Sequence, residues 1–420
     1  MRQPRLIATG THLLIAAALV GATAVHGARQ TSDDARLADL YDRDAWFELR
    51  DAIAGKDVAP LYAGAVASAF NRVDEAEKHL TRAVREATTT EAANEARGKL
   101  SILYIRIGRL SDAGRIIDEI LKTEPGRADV GNARAVFGAY ADRPNQIVER
   151  SRRGTFRCGI WDDGVRLPVE IGRGTPSWLL DTGANVSVIS EGEAKWLGLK
   201  ENDAARIGDL AGGSAGARTT VAPRLRIGNT ELRNVPMLIL PDDRPPFDSM
   251  ASGERGLLGL PVALALQSIR WTKPSSCETS LDAPPAPTMS NLAFNSLFPI
   301  VRGDVAGRQA AFVLDTGNQA GTQLWERFQR DFTALVSERG KKGTVRVTQF
   351  GGSNDREVMV LPELALRIGG FDALLKPANV FWRPVGDDRW HGNLGMDVLS
   401  QAEQVIIDFR SMSVTLKPAR

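Results

Sequence analysis

Two copies of one tripeptide carry the residues best equipped for chemistry. Asp181-Thr182-Gly183 follows the apolar run Trp178-Leu179-Leu180, and Asp315-Thr316-Gly317 follows Phe312-Val313-Leu314, 134 residues later. Two carboxylates held close together cannot both ionise cheaply, so they share one proton over a useful pH range. The ionised member takes a proton from a bound water. The protonated member hydrogen-bonds a carbonyl and later helps an amine to leave. Glycine after threonine lets each loop turn tightly and brings its backbone near the carboxylate. The threonine hydroxyls can bond across to the opposite loop, which would make the site a property of the interface between two halves.

Little else in the chain could do this work. Of four histidines, His12 and His26 fall near the amino terminus, leaving His79 and His391. There is no His-Glu-x-x-His motif, and any Ser-His or Cys-His pair would have to use one of those two. Two cysteines, Cys158 and Cys277, are too few for a zinc-thiolate cluster. No metal or organic cofactor is expected. With 53 basic residues against 51 acidic ones, the net charge of +2 creates no field that would attract nucleic acid.

The elements that must position the two aspartates repeat as well. Leu225-Arg226-Ile227-Gly228 matches Leu366-Arg367-Ile368-Gly369, and Gly256-Leu257-Leu258-Gly259 matches Gly392-Asn393-Leu394-Gly395. Each Asp precedes the last glycine of its half by 78 and 80 residues. Three landmarks in the same order are an internal duplication. β-branched alternation begins at about Phe156 and continues to Arg420. A Pro-rich stretch from Pro274 to Pro287 reads as a linker between the halves. Between the first and second landmarks each half has a Gly-rich segment, with Gly212 and Gly213 in one and Gly351 and Gly352 in the other. These are flap candidates; an ordinary hairpin tip would have the same composition.

The duplicated motifs resemble those of retropepsin-like aspartic proteases, in a bacterial-type single chain carrying both halves, over about residues 156–420. The resemblance implies a mainly β, bilobed fold with the cleft between lobes. It implies that Asp181 and Asp315 are catalytic, with Thr182, Gly183, Thr316 and Gly317 supporting their loops. Leu257-Leu258-Gly259 and Asn393-Leu394-Gly395 would pack beside those loops, with Asn393 less apolar than the pattern. The chain departs from the usual continuation of the motif at Ala184-Asn185 and at Asn318-Gln319. Asn318 is expected either to donate to Asp315 or to crowd the water. Cys158 and Cys277 bracket the first lobe, and pairing of its terminal strands would bring the sulfurs into one disulfide; the alternative is two unpaired thiols.

Residues 34–150 have helical spacing of apolar residues. Phe70 to Ala76 echoes Ile107 to Ala113, which fits a tetratricopeptide-like helix pair or, equally, a plain helical bundle. Arg2 and Arg5 precede the apolar run Leu13–Val20, and small residues follow at Gly27 and Ala28, the pattern of an export signal. The expected order is a signal peptide (1–28), a helical domain (34–150), lobe one (156–273), a linker (274–290) and lobe two (291–420). A secreted or periplasmic location follows, or an uncleaved amino-terminal anchor. The expected function is an aspartic endopeptidase acting on extended polypeptide. Two alternatives stand beside it: a bilobed peptide-binding protein without turnover, and a docking protein whose helical domain holds a partner. No membrane contact beyond the signal segment is expected.

Overall fold

The computed structural model describes residues 32–202, 204–208, 214–282, 290–349, 352–382 and 389–419. The described residues open with seven α-helices: α1 (Ser32–Asp42), α2 (Trp46–Ile53), α3 (Pro60–Ala69), α4 (Val73–Glu86), α5 (Thr90–Arg106), α6 (Leu110–Thr123) and α7 (Ala128–Phe137). Apolar residues at helical spacing bury one face, such as Ala76 and Leu80 of α4 and Ala113, Ile117 and Ile120 of α6. The two echoed segments are the corners joining α3 to α4 and α5 to α6. Both corners use a positive φ at the same place, Asn71 (56°) and Gly108 (77°). Both close with the same backbone bond, Arg72 N–H to Ala67 O and Arg109 N–H to Tyr104 O, each 2.8 Å. The helical part ends earlier than its composition implied, because Ile147–Arg150 is a strand paired with Thr230–Leu240.

Two ten-stranded, curled sheets follow, one per lobe, and a five-stranded sheet joins them. The joining sheet takes Gly154–Arg157, Ser276–Thr279 and Ser268–Thr272 from the first half and Gln404–Asp408 and Ser413–Lys417 from the second. The architecture is therefore an amino-terminal helical region followed by a bilobed, mainly β fold. Ser276–Thr279 lies within the segment expected as linker yet is a central strand, since its backbone pairs on both edges. Residues 283–289 lie outside the described residues, as do residues 1–31, where an export signal is expected. No helix among the described residues is long and apolar enough to cross a membrane.

The helices share their core with both lobes. One buried cluster combines Leu80, Leu103 and Tyr140 with Leu179, Val188, Leu238 and Leu257 of lobe one. Another combines Trp46, Phe47 and Val66 with Phe294 and Val301 of lobe two. Polar contacts stitch the same seam. Tyr140 Oη donates to Met237 O (2.7 Å), Gln146 Nε2 to Pro261 O (3.1 Å) and Trp46 Nε1 to Asn295 Oδ1 (3.3 Å). Arg106 is fully buried. It donates to Ser68 O (2.6 Å) and Ser296 O (3.1 Å), and its guanidinium lies 4.3 Å from the Phe294 ring centroid. Burial without an acidic partner lowers its pKa to about 9.

Candidate active site

The two Asp loops are built alike. Strand Ser177–Leu180 runs parallel beside Gly256–Leu258, with Leu179 opposite Leu257 and Leu180 opposite Leu258. Strand Arg308–Leu314 runs parallel beside Gly392–Leu394, with Val313 opposite Asn393 and Leu314 opposite Leu394. The next amide in each case extends the ladder: Asp181 N–H donates to Leu258 O (2.9 Å) and Asp315 N–H to Leu394 O (3.1 Å). Both carboxylates are 2% exposed, so each is held in a low dielectric.

The threonines lock the loops together. Thr182 Oγ1 donates to Leu314 O and Thr316 Oγ1 to Leu180 O, both at 2.7 Å. Each hydroxyl also accepts the other threonine's backbone N–H at 3.1 Å. Four reciprocal bonds across a buried interface make the relative position of the lobes at this point nearly rigid.

The glycines let the carboxylates meet. A Cβ on Gly183 would lie 2.7 Å from Asp315 Oδ1, and one on Gly317 would lie 2.4 Å from Asp181 Oδ1. Each glycine is thus the floor on which the opposite carboxylate rests. Gly317→Ala is expected to push Asp181 aside and slow any reaction that the two carboxylates carry out together about 100-fold or more, since misplacement by an ångström costs that much. Gly183→Ala should show the same defect more mildly. Thermal melts of both variants test the crowding, and a Gly317→Ala protein as stable as the wild type would contradict the close approach.

The dyad is electrostatically strained. Burial first, and the negative charge of Asp315 second, push the Asp181 carboxyl well above the usual carboxylate range. Its Oδ1 accepts from Gly183 N–H (3.0 Å) and Ala184 N–H (3.1 Å), which opposes the rise. Asp315 Oδ1 accepts from Gly317 N–H (3.0 Å).

Asn318 does not give Asp315 the side-chain donor that was one of its two expected roles. Its side chain is fully buried and turns away from Asp315, donating to Gly321 O (2.9 Å). Its backbone carbonyl accepts from Met396 N–H (3.0 Å), so it holds the loop against the following helix Met396–Leu399. The side chain that reaches the dyad is Asn393, whose Nδ2 donates to Asp315 Oδ2 (2.9 Å). The signal for it was in the sequence as the one polar residue in an otherwise apolar landmark.

The remaining candidates fall elsewhere. Gly212, Gly213 and Gly351 lie outside the described residues. The strands on either side of them pair: Ala204–Gly208 with Ser214–Ile227, and Lys341–Gln349 with Gly352–Leu361, where Gly352 is opposite Gln349. Cys158 and Cys277 are joined as a disulfide with Cα atoms 5.7 Å apart, next to the junction of the first lobe with the five-stranded sheet. His391 is buried in lobe two, where its Nδ1 accepts from Ala311 N–H (3.0 Å) and its Nε2 faces Asp331 Oδ2 (3.2 Å). Burial lowers its pKa to about 4, so it packs as a neutral ring. Ser190 caps the helix Glu191–Leu197, accepting from Glu193 N–H (3.2 Å). Glu193 does not return the bond, because its carboxylate accepts from Trp178 Nε1 and Gly253 N–H, both at 3.0 Å. Among the described residues no group of three or more His, Cys, Asp or Glu could hold a metal ion.

No protein of curated function matches the chain. Among solved structures, a retropepsin-like aspartic protease from Rickettsia conorii is similar over 31% of this chain and 93% of its own, at 16% identity and a TM-score of 0.22. The segment that holds the first Asp loop and its supporting strands, residues 167–262, matches the aspartyl protease family.

Proposed function

We propose that the protein is an aspartic endopeptidase in which Asp181 and Asp315 together activate a water against a peptide carbonyl. The observation that carries this reading is the pair of buried carboxylates set face to face by reciprocal threonine bonds. A structural carboxylate pair would be a poor stabilising device, because burying two like charges costs free energy. The arrangement suits a shared proton instead. Substrate would lie in the cleft as an extended strand, recognised largely through its backbone. We read the two long strand pairs as the arms of flaps that would exclude water during the reaction. The export signal and the Cys158–Cys277 disulfide together favour action outside the cytoplasm, in the periplasm or the medium. The paired helices are read as a tetratricopeptide-like module used as a structural base.

The test is cleavage of denatured casein from pH 3 to 8 by the full mature chain and by Asp315→Asn. Cleavage by the wild type with loss in the variant is expected. A folded wild type that cleaves nothing at any pH would move the assignment to a peptide-binding protein. Cleavage surviving in Asp315→Asn would exclude the dyad.

A further inference from the structure

The two lobes differ at the dyad in the backbone donor that Ala184 gives Asp181 and in the side-chain donor that Asn393 gives Asp315, and the second difference gives the site a direction. Leu257 and Asn393 occupy equivalent positions, each one residue before the leucine whose carbonyl receives the Asp amide. On the lobe-one side this position is hydrocarbon. On the lobe-two side it is a buried amide, 1% exposed, with Nδ2 2.9 Å from Asp315 Oδ2.

From this geometry we infer that Asn393 is a positioning residue that holds Asp315 as the ionised base and leaves the shared proton on Asp181. The inference rests on the endopeptidase reading for its catalytic meaning, though not for its physical content. Asp315 receives a donor on each oxygen, Gly317 N–H on Oδ1 and Asn393 Nδ2 on Oδ2. A carboxyl that accepts on both oxygens resists protonation, because a hydroxyl there would face a donor. Asp181 receives both of its backbone donors on Oδ1, so Oδ2 is the oxygen placed to carry the proton. The raised titration of Asp181 agrees. Other ionisable groups nearby are engaged elsewhere. Asp397 is taken up by Thr322, through its N–H (2.9 Å) and hydroxyl (2.7 Å), and His391 is turned to Asp331.

The steps then have fixed roles. Asp315 takes a proton from the water as its oxygen attacks the carbonyl carbon, while Asp181 gives its proton to the carbonyl oxygen. A neutral gem-diol results. In the collapse Asp315 passes its proton to the departing nitrogen and Asp181 recovers a proton from a diol hydroxyl, which restores the starting state.

The experiment follows the Asp side-chain carboxyl resonances of the full chain, labelled with carbon-13 aspartate, from pH 3 to 8. Asp181→Asn and Asp315→Asn supply the assignments. The lower of the two dyad titrations is expected on Asp315. Asn393→Leu, which installs the lobe-one residue, should raise that step by about one pH unit, since a hydrogen bond to a charged group has roughly that strength. The mirror variant Leu257→Asn should lower the Asp181 step and remains informative if Asn393→Leu fails to fold. In a cleaving enzyme the ascending limb of the kcat/KM profile should move with Asn393→Leu and the descending limb should stay. A lower step on Asp181, or no movement in either variant, would overturn the inference. The titration needs no turnover. Failure to cleave with the Asp315-first order intact would therefore sink the protease reading alone.

Discussion

Asp181→Asn is expected to lower cleavage of an unfolded protein by about 10³-fold, the scale of losing a general acid, and at the same time to raise stability at neutral pH. The second effect follows from the direction of the Asp181 shift. Its folded-state titration lies above the unfolded one, with burial as the main cause and Asp315 as the next. The protonated form is the one the fold prefers. The stability it contributes is fully present below about pH 4, the unfolded value, and is lost as pH rises through the folded titration. Each unit of upward shift therefore costs about 1.4 kcal/mol once the group ionises. Asparagine keeps the shape, cannot ionise and escapes that cost. Its Oδ1 can still accept from Gly183 and Ala184, which hold the carboxylate in the wild type. Thermal melts of wild type and variant at pH 4 and pH 7 provide the check. The Tm difference should be small at the lower pH and favour the variant at the higher one. Equal melts at both would mean that Asp181 is not the strained member of the pair.

Removing residues 32–140 is expected to abolish folding of the remainder. The helices contribute to the same buried clusters that line both lobes. Their loss would leave one side of those clusters facing water. Re-exposing even five large apolar side chains costs on the order of 10 kcal/mol, comparable with the whole stability of an ordinary domain. It would also orphan the backbone acceptors of Met237 and Ser296, which now receive Tyr140 and Arg106. Soluble yield and a cooperative thermal transition are the readouts. A truncated chain that melts cooperatively and cleaves like the full one would show the helices to be a detachable module. The architecture argues for the opposite: the helical region is a wall of the bilobed body. A domain used only for recruitment would be expected to meet its neighbour through a smaller and more polar seam.

This last point also divides what a sequence can say about such a chain from what it cannot. The amphipathic spacing in α4 and α6 marked a face that must be buried. Periodicity records that a face is covered, not by what, so the seam with both lobes was invisible until the chain had folded. The Asp-Thr-Gly pair, its apolar strands and the later Gly landmarks were legible because a duplication repeats short-range chemistry in a fixed order. Their meeting needed only that equivalent strands end in equivalent turns. The linker boundary was misplaced for a related reason: Ser276–Thr279 has proline-rich neighbours, and its strand is made by partners far away in the chain.

The sequence by itself determined the two carboxylates, the threonines beside them and the need for glycine in each loop, because those requirements act within a few residues. Tertiary structure alone decided which asparagine touches the dyad. Asn318 is three residues from Asp315, yet its backbone is pinned to Met396 and its side chain is spent on Gly321. Asn393 is 78 residues away and is brought alongside by parallel pairing of Val313 with Asn393. Strand register places side chains with a precision that chain distance does not, and at this buried dyad it sets one amide 2.9 Å from Asp315.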